Sequence, residues 1–580
     1  LYTCKKDSVV SALQDQATHT ARQWLSGPID AVTRQQIETL LADPNPKNLI
    51  DQFYKNLEFG TGGLRGIIGV GSNCMNRYTV GVATQGLANY LLKSFAGESI
   101  RVAIAFDSRH MSKEFAQVTA SVFSANGIEV HIFPALRPTP LLSFAIRKLG
   151  CHSGVVITAS HNPKEYNGYK AYWRDGAQLV PPHDKNVITE VNAIAGFEQV
   201  KWQPNDRLIH TIGPEVEQAY IAEVRKTLAW VTAKKDLPLV YSSLHGAGIT
   251  MVPQCLQQLG FSNLIVVSEQ QEPDGNFPTV ESPNPEETSA MKMALAYAAR
   301  HKAALAMATD PDTDRVGIAI PDAEGKYFLL NGNQALSLML WFVLKNLRNK
   351  TNAYIAKTIV TTELVDAMCA QYGVACINTL TGFKYIAELI AQRESTHQFI
   401  AAGEESYGYM VGDFVRDKDA VSACAFFATM AATAQADGKT LYDWLIDMYV
   451  ECGLYMESLV NLVRKGAEGE IQIKAMMEKF RQQPPLTIAG EKVVRMLDYK
   501  TGIETNLQHG STRPLAFPKS DVLQFYTQHG SKISVRPSGT EPKIKFYISV
   551  NAKLSSREAY AAVSGELNAR LKAIESELIT

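Results

Sequence analysis

Net charge is nearly absent from this chain: 57 Lys and Arg stand against 58 Asp and Glu, a formal balance of −1. Without a global basic field, neither nucleic acid nor an anionic membrane is expected as a partner, and any anion must be held by a local constellation. Long apolar runs are missing too; the longest, residues 335–344, is too short to cross a bilayer and reads as a buried helix. The eight cysteines are scattered with no CxxC pair, which removes zinc-ribbon and thioredoxin-like readings and leaves small buried apolar residues. Leu1 to Lys6 contain no apolar h-region, and the first residue is not Met, as in a trimmed chain; the cytoplasm is the expected compartment. Low-complexity tracts and heptad repeats are also lacking.

What is present is length and alternation. At 580 residues the chain exceeds what one hydrophobic core supports. Residues 1–50 read as a solvent-tolerant helical extension, with Val10, Leu13, Ala17 and Trp24 at helical spacing. Short β-rich runs at 101–106, 130–133, 155–157, 239–241, 264–267, 303–307, 316–320, 353–359 and 399–401 alternate with amphipathic helices, the pattern of α/β layers with mostly parallel strands. Beyond 454 the alternation loosens into a strand–loop–strand at 533–550 and a helix from Ser556. The predicted fold class is α/β: three mixed α/β sheet domains (51–205, 206–322, 323–454) and a C-terminal α+β domain (455–580). Because ligands collect at the carboxyl ends of strands in open α/β sheets, four domains around a central cleft are expected.

Four segments carry chemistry. In the first, an apolar strand runs into Ser160, His161, Asn162 and Pro163, with Lys170 ten residues past the serine: a hydroxyl beside an imidazole, with an ammonium to balance charge. A turn capped by Ser160 explains the same residues. In the second, Asp310, Asp312 and Asp314 leave a strand at alternate positions, an oxygen-only set suited to a hard cation, Mg²⁺ before Ca²⁺. An EF-hand is excluded, since Arg315 and Pro321 stand where it needs Gly and Glu. The third offers Glu404 and Ser406, a carboxylate and a hydroxyl able to grip sugar hydroxyls; a helix start fits them equally. The fourth, Arg536, Ser538, Gly539 and Thr540, equips a loop between two strands to cradle phosphate. Arg65, within a glycine-dense stretch at 59–66, adds a guanidinium that either holds a phosphoryl group or is solvated in a flexible loop. Those glycines do not match GxGxxG, so no dinucleotide site is read there.

Together these segments resemble the α-D-phosphohexomutase superfamily, which includes phosphoglucomutases and phosphomannomutases, in family order over nearly the whole chain from about Phe53. The resemblance implies a phosphosugar mutase that interconverts sugar 1- and 6-phosphates. In it Ser160 is the phosphoserine, and its phosphate completes a Mg²⁺ site made by Asp310, Asp312 and Asp314. It makes Lys170 the general acid/base, with its pKa lowered toward neutrality, beside His161. Arg65 and Arg315 would lie by the transferring group; Glu404 and Ser406 would hold sugar hydroxyls; Arg536, Ser538, Gly539 and Thr540 would hold the other phosphate. A sugar bisphosphate would serve as intermediate and activator. The segments Phe106-Asp107-Ser108-Arg109, Pro138-Thr139-Pro140, Leu244-His245-Gly246, Pro278-Thr279 and Pro283-Asn284-Pro285 look familial as well. The stretch 379–384, with Lys384, resembles the sugar-specificity loop of the branch of long phosphoglucomutases and phosphopentomutases. Tyr407 and Tyr409 stand where many bacterial phosphomannomutase/phosphoglucomutases carry a histidine, and Arg416-Asp417-Lys418-Asp419 resembles the glucose-preferring branch, with Lys418 a candidate contact for substrate phosphate. Glucose phosphate is the first expected substrate, pentose second, mannose third. A metal-dependent sugar phosphatase and a non-catalytic sugar-phosphate binder are the rival readings, and monomer or homodimer is the family expectation.

Overall fold

The computed structural model describes residues 2–60, 62–464, 466–538 and 543–579. Gly539 and Thr540, expected in a phosphate cradle, lie outside them. The chain divides into two compact units, Leu1–Leu329 with Gly408–Thr433, and Leu330–Tyr407 with Ala434–Thr580. Among the described residues, no helix is long and apolar enough to cross a membrane.

In the first unit, a six-stranded sheet runs in the order Gly63–Ile67, Tyr166–Trp173, Ser153–Ile157, Arg101–Phe106, Glu129–Ile132, Ile209–Thr211. The last four strands are parallel, and the first two join antiparallel. Val102, Ile104, Val155 and Ile157 are fully buried and pack against Leu87, Phe115 and Phe123 of the covering helices. A second, five-stranded sheet has the order Tyr327–Leu329, Val316–Pro321, Leu305–Thr309, Leu239–Ser242, Leu264–Val266, again with an antiparallel edge on a parallel centre. These two sheets are mixed, as expected, each with a parallel centre and an antiparallel edge. The glycine-dense stretch, read as a loop, enters an edge strand in which Leu64 and Gly66 are buried while Arg65 and Ile67 are exposed, the alternation of a half-covered strand.

The N-terminal helices Tyr2–Ser26, Ala31–Ala42 and Lys47–Phe53 are less solvent-tolerant than their composition suggests. Ala17, Ala21, Trp24 and Phe53 are buried against Tyr78, with Phe197 and Trp202 packed alongside. The Trp24 ring meets Phe53 and Phe197 edge-on, with centroids 5.6 and 4.8 Å apart.

In the second unit, strands Ala375–Thr379, Ala353–Thr358 and Gln398–Gly403 lie parallel in that order. A separate antiparallel sheet follows: Leu454–Val463, Lys543–Ala552, Lys532–Pro537, Leu523–Thr527, Glu491–Asp498, Ile503–Asn506, Thr512–Pro514. Helix Tyr560–Ile579 closes the chain.

Candidate active site

Strand Ser153–Ile157 is buried throughout and ends at the loop that carries Ser160. Ser160 is itself buried and takes a left-handed backbone, φ 52°; its N–H donates to Thr158 Oγ1 at 2.8 Å. Its Oγ donates to Asp310 Oδ2 at 2.6 Å and lies 3.3 Å from His161 Nδ1. Burial, with Arg315 and Arg65 adding to it, pushes the His161 imidazole well below its ordinary value, so this ring is neutral.

Strands Leu305–Thr309 and Val316–Pro321 pair antiparallel with Thr309 opposite Val316, and the intervening turn holds the aspartates. Its closure is tight: Thr313 N–H donates to the Asp310 carbonyl at 3.0 Å with Thr313 at φ 59°. Gly246 lets the neighbouring loop approach, since a Cβ there would stand 2.4 Å from Pro311 Cα. One ligand atom from each of Asp310, Asp312 and Asp314 lies within 4.8 Å of the others, and all three residues are buried. Asp310 Oδ1 accepts from the Asp314 and Arg315 N–H groups at 3.1 and 3.0 Å. Thr139, from the Pro-Thr-Pro segment, donates its Oγ1 to Asp312 Oδ2 at 2.9 Å.

Lys170 sits on strand Tyr166–Trp173, opposite Val156. Its Nζ reaches Asp312 Oδ2 at 2.7 Å and Asp314 Oδ2 at 3.2 Å. Lys418 Nζ shares Asp314 Oδ2 at 3.2 Å and holds Asp417 Oδ1 at 3.0 Å. The expectation of a near-neutral Lys170 fails in this arrangement. Burial alone would pull the ammonium down, but Asp312 and Asp314 together outweigh it and hold Lys170 above its ordinary value. Asp310 is shifted upward as well, which for a carboxyl favours the neutral form: burial first, then Asp312 and Asp314, raise it well above the usual range.

The donor set fits a hard cation. Asp312 Oδ1 and Asp314 Oδ1 are buried and accept no hydrogen bond among the described residues. Buried carboxylate oxygens left open in a three-carboxylate cluster are what a divalent ion would satisfy. The raised Asp310 marks the same shortage of positive charge.

Arg65 is exposed on its edge strand opposite Gly168, with Nη1 3.3 Å from Asn162 Oδ1. Arg315 pairs with Glu286 and lies 3.8 Å from Asp314 Oδ1.

In the second unit, buried Glu404 follows strand Gln398–Gly403, and Ser406 Oγ donates to its Oε2 at 3.3 Å. Glu405 Oε2 accepts from Thr361 Oγ1 at 3.0 Å. Lys384 is the second residue of helix Phe383–Arg393, with its ammonium 5.2 Å from the Tyr385 ring centre. Arg536 and Ser538 are half-buried at the end of strand Lys532–Pro537. Tyr547 ties these loops together: burial first, then Glu405 and Glu404, push its hydroxyl up, while Arg536 hydrogen-bonds it.

Two partners escaped sequence reasoning. Tyr172 Oη and Gln178 Nε2 donate to Asp417 Oδ2 at 2.7 and 3.0 Å, fixing the carboxylate that holds Lys418. The signal was available for Tyr172: two residues past Lys170 on one strand, it projects from the same face. Asp419 is likewise held by Tyr220 Oη at 2.7 Å and caps helix Ala420–Ala436 through the Val421 and Ser422 N–H groups.

Family models described as phosphoglucomutase/phosphomannomutase α/β/α domains I, II and III match residues 56–196, 218–325 and 331–451. The phosphoglucomutase of Staphylococcus haemolyticus is 36% identical over 521 residues, covering 89% of this chain and 94% of that protein. That of Staphylococcus aureus is 38% identical over 501 residues, covering 86% and 90%. The solved structure of parafusin, a phosphoglucomutase from Paramecium in an open form, shares the fold at 20% identity, with a TM-score of 0.68 over 90% of this chain and 95% of that one.

Proposed function

Because the chain belongs to the phosphoglucomutase/phosphomannomutase family, and is therefore an isomerase of the phosphotransferase kind, we propose that it moves a phosphoryl group between the 1- and 6-hydroxyls of glucose through Ser160. The relatives at 36–38% identity are phosphoglucomutases, which supports glucose ahead of pentose and mannose. The observation that carries the reading is Ser160 Oγ held 2.6 Å from Asp310 Oδ2, with Lys170 on Asp312 and Asp314 of the same turn.

Phosphoryl transfer asks a protein chiefly for positioning and charge neutralisation. Mg²⁺, held by Asp310, Asp312 and Asp314, would supply positive charge next to the seryl phosphate. Ser160, aimed by its buried left-handed turn, presents the phosphoryl group to the free hydroxyl of a sugar monophosphate and gives a bisphosphate. The sugar reverses, and its other phosphate returns to Ser160. Lys170 Nζ takes the hydroxyl proton in one half and returns it in the other. Once its carboxylate partners are neutralised, burial is left to act on Lys170 and pulls it down, the direction a general base needs. Neutral His161 steadies Ser160 Oγ, and Arg65 and Arg315 add cationic groups by the transferring phosphoryl. Lys418 balances Asp314. Glu404, Ser406 and Lys384 are assigned to the sugar, and Arg536, Ser538, Gly539 and Thr540 to the phosphate that is not reacting. The described cysteines are free thiols, which suits a reducing cytoplasm.

Incubation with glucose 1,6-bisphosphate followed by peptide mass spectrometry should find phosphate on Ser160. Ser160→Ala should lower turnover by several orders of magnitude without unfolding the chain; near-normal turnover would end the proposal. Release of inorganic phosphate in place of isomer would make the protein a phosphatase. Parallel assays with glucose, mannose and ribose 1-phosphates rank the substrates.

A further inference from the structure

Resting on the phosphoserine reading, we propose that Arg109 is the positioning residue of the Ser160 loop: its guanidinium gathers the loop's carbonyls and so aims Ser160 Oγ at the aspartate turn. Arg109 belongs to the Phe106-Asp107-Ser108-Arg109 segment, to which the reaction assigns no task. It is 3% exposed and pinned from behind. Its own N–H donates to Asp107 Oδ1 at 2.9 Å, and its Nε stands 3.5 Å from Asp107 Oδ2. Ser112 Oγ secures that carboxylate at 2.6 Å.

In front, Nη2 donates to the carbonyl of Ser160 itself at 2.6 Å and to that of Asn162. Nη1 donates to the carbonyls of Pro163 at 2.9 Å and Tyr166 at 3.1 Å. Four carbonyl dipoles turned toward one point repel each other, and only a cation with several donors holds them there. The planar guanidinium has five N–H groups; an ammonium has three on one atom and cannot span the four acceptors. The Ser160 backbone at φ 52° is a conformation that non-glycine residues avoid unless their surroundings impose it, and this set of bonds imposes it. The guanidinium also faces the Phe277 ring at 5.1 Å, in a loop following the second sheet's strand Leu264–Val266, so one side chain spans the serine loop and the domain that carries Asp310.

The test measures the rate at which glucose 1,6-bisphosphate phosphorylates Ser160 in the full chain, with KM for glucose 1-phosphate measured alongside. Arg109→Lys keeps the charge and loses the fork. It should slow labelling by on the order of 100-fold, the scale of a misplaced reacting atom, with KM unchanged. Arg109→Ala should be slow as well and recover with added guanidinium ion, a response that lost packing would not give. Arg109→Lys that is folded and labels at the wild-type rate overturns the inference. Should both Arg109 variants fail to fold, Asp107→Asn decides: near-isosteric, it loosens the rear support, and slowed labelling with KM unchanged upholds the inference while wild-type labelling overturns it. Failure of the wild type to label Ser160 removes the phosphoserine reading instead, so the two failures are distinguishable.

Discussion

Cation binding at the aspartate turn should be coupled to proton release. Asp310 is fully buried beside Asp312 and Asp314, and its carboxyl is raised well above the ordinary 3.8. In metal-free protein a proton therefore sits on the cluster at pH values where an exposed aspartate is ionised. A hard cation takes the carboxylates deprotonated, so each ion bound should expel about one proton below the raised value. Apparent affinity should then climb tenfold per pH unit, about 1.4 kcal/mol, and level off once pH passes the raised value. The sign for stability in chelator is opposite. A carboxyl with a raised folded pKa contributes stability fully below 3.8 and loses that contribution as pH rises through the raised value. Titration calorimetry with Mg²⁺ or Mn²⁺, in two buffers of different ionisation enthalpy over a pH interval that starts at the ordinary 3.8 and extends upward, counts the protons. Zero release, with affinity flat across that interval, would show that the turn does not store a proton and that its charge shortage is met some other way.

Three further outcomes are expected. Lys170→Met should cut turnover by about 10²–10⁴-fold, the usual contribution of a general acid–base group, while Ser160 labelled beforehand stays phosphorylated; steady-state kinetics and phosphopeptide analysis read both. Gly168→Ala puts a Cβ 2.5 Å from the Thr158 carbonyl oxygen and 2.9 Å from that of Leu64, so backbone must move at the root of the serine loop. A loss of about 1–3 kcal/mol in chemical denaturation, with slower Ser160 labelling, is expected. Tyr220→Phe removes the hydroxyl that donates to both oxygens of buried Asp419, at 2.7 and 2.8 Å. It should cost about 1.5–3 kcal/mol, as for a buried hydrogen bond to a charged group; a change below about 0.5 kcal/mol would contradict it.

The parallel strands were legible because a strand buried on both faces is an unbroken apolar run, as in residues 101–106 and 155–157. The antiparallel edges were not. Gly63–Ile67 hides behind its glycines, and Tyr166–Trp173 behind Asn167, Gly168 and Lys170, although burial in the former follows period two. The C-terminal sheet was half legible for a related reason: in Glu491–Asp498 charged residues interleave with buried Val493 and Leu497, which masks a one-sided strand as loop. The serine and the aspartates could be found because each motif is compact in sequence.

Their electrical state could not be found in the same way. Whether Lys170 is a base or a locked ammonium depends on Asp312 and Asp314, more than 140 residues away, and on how little water reaches them. Residue type sets the reference pKa, and only the fold sets the sign of its shift. Arg109 carries the argument further, because its partners are main-chain carbonyls. Any side chains at 160, 162, 163 and 166 would offer the same oxygens, so no motif announces the contact, and the recognisable serine depends on a guanidinium whose role becomes visible only when the backbone is traced.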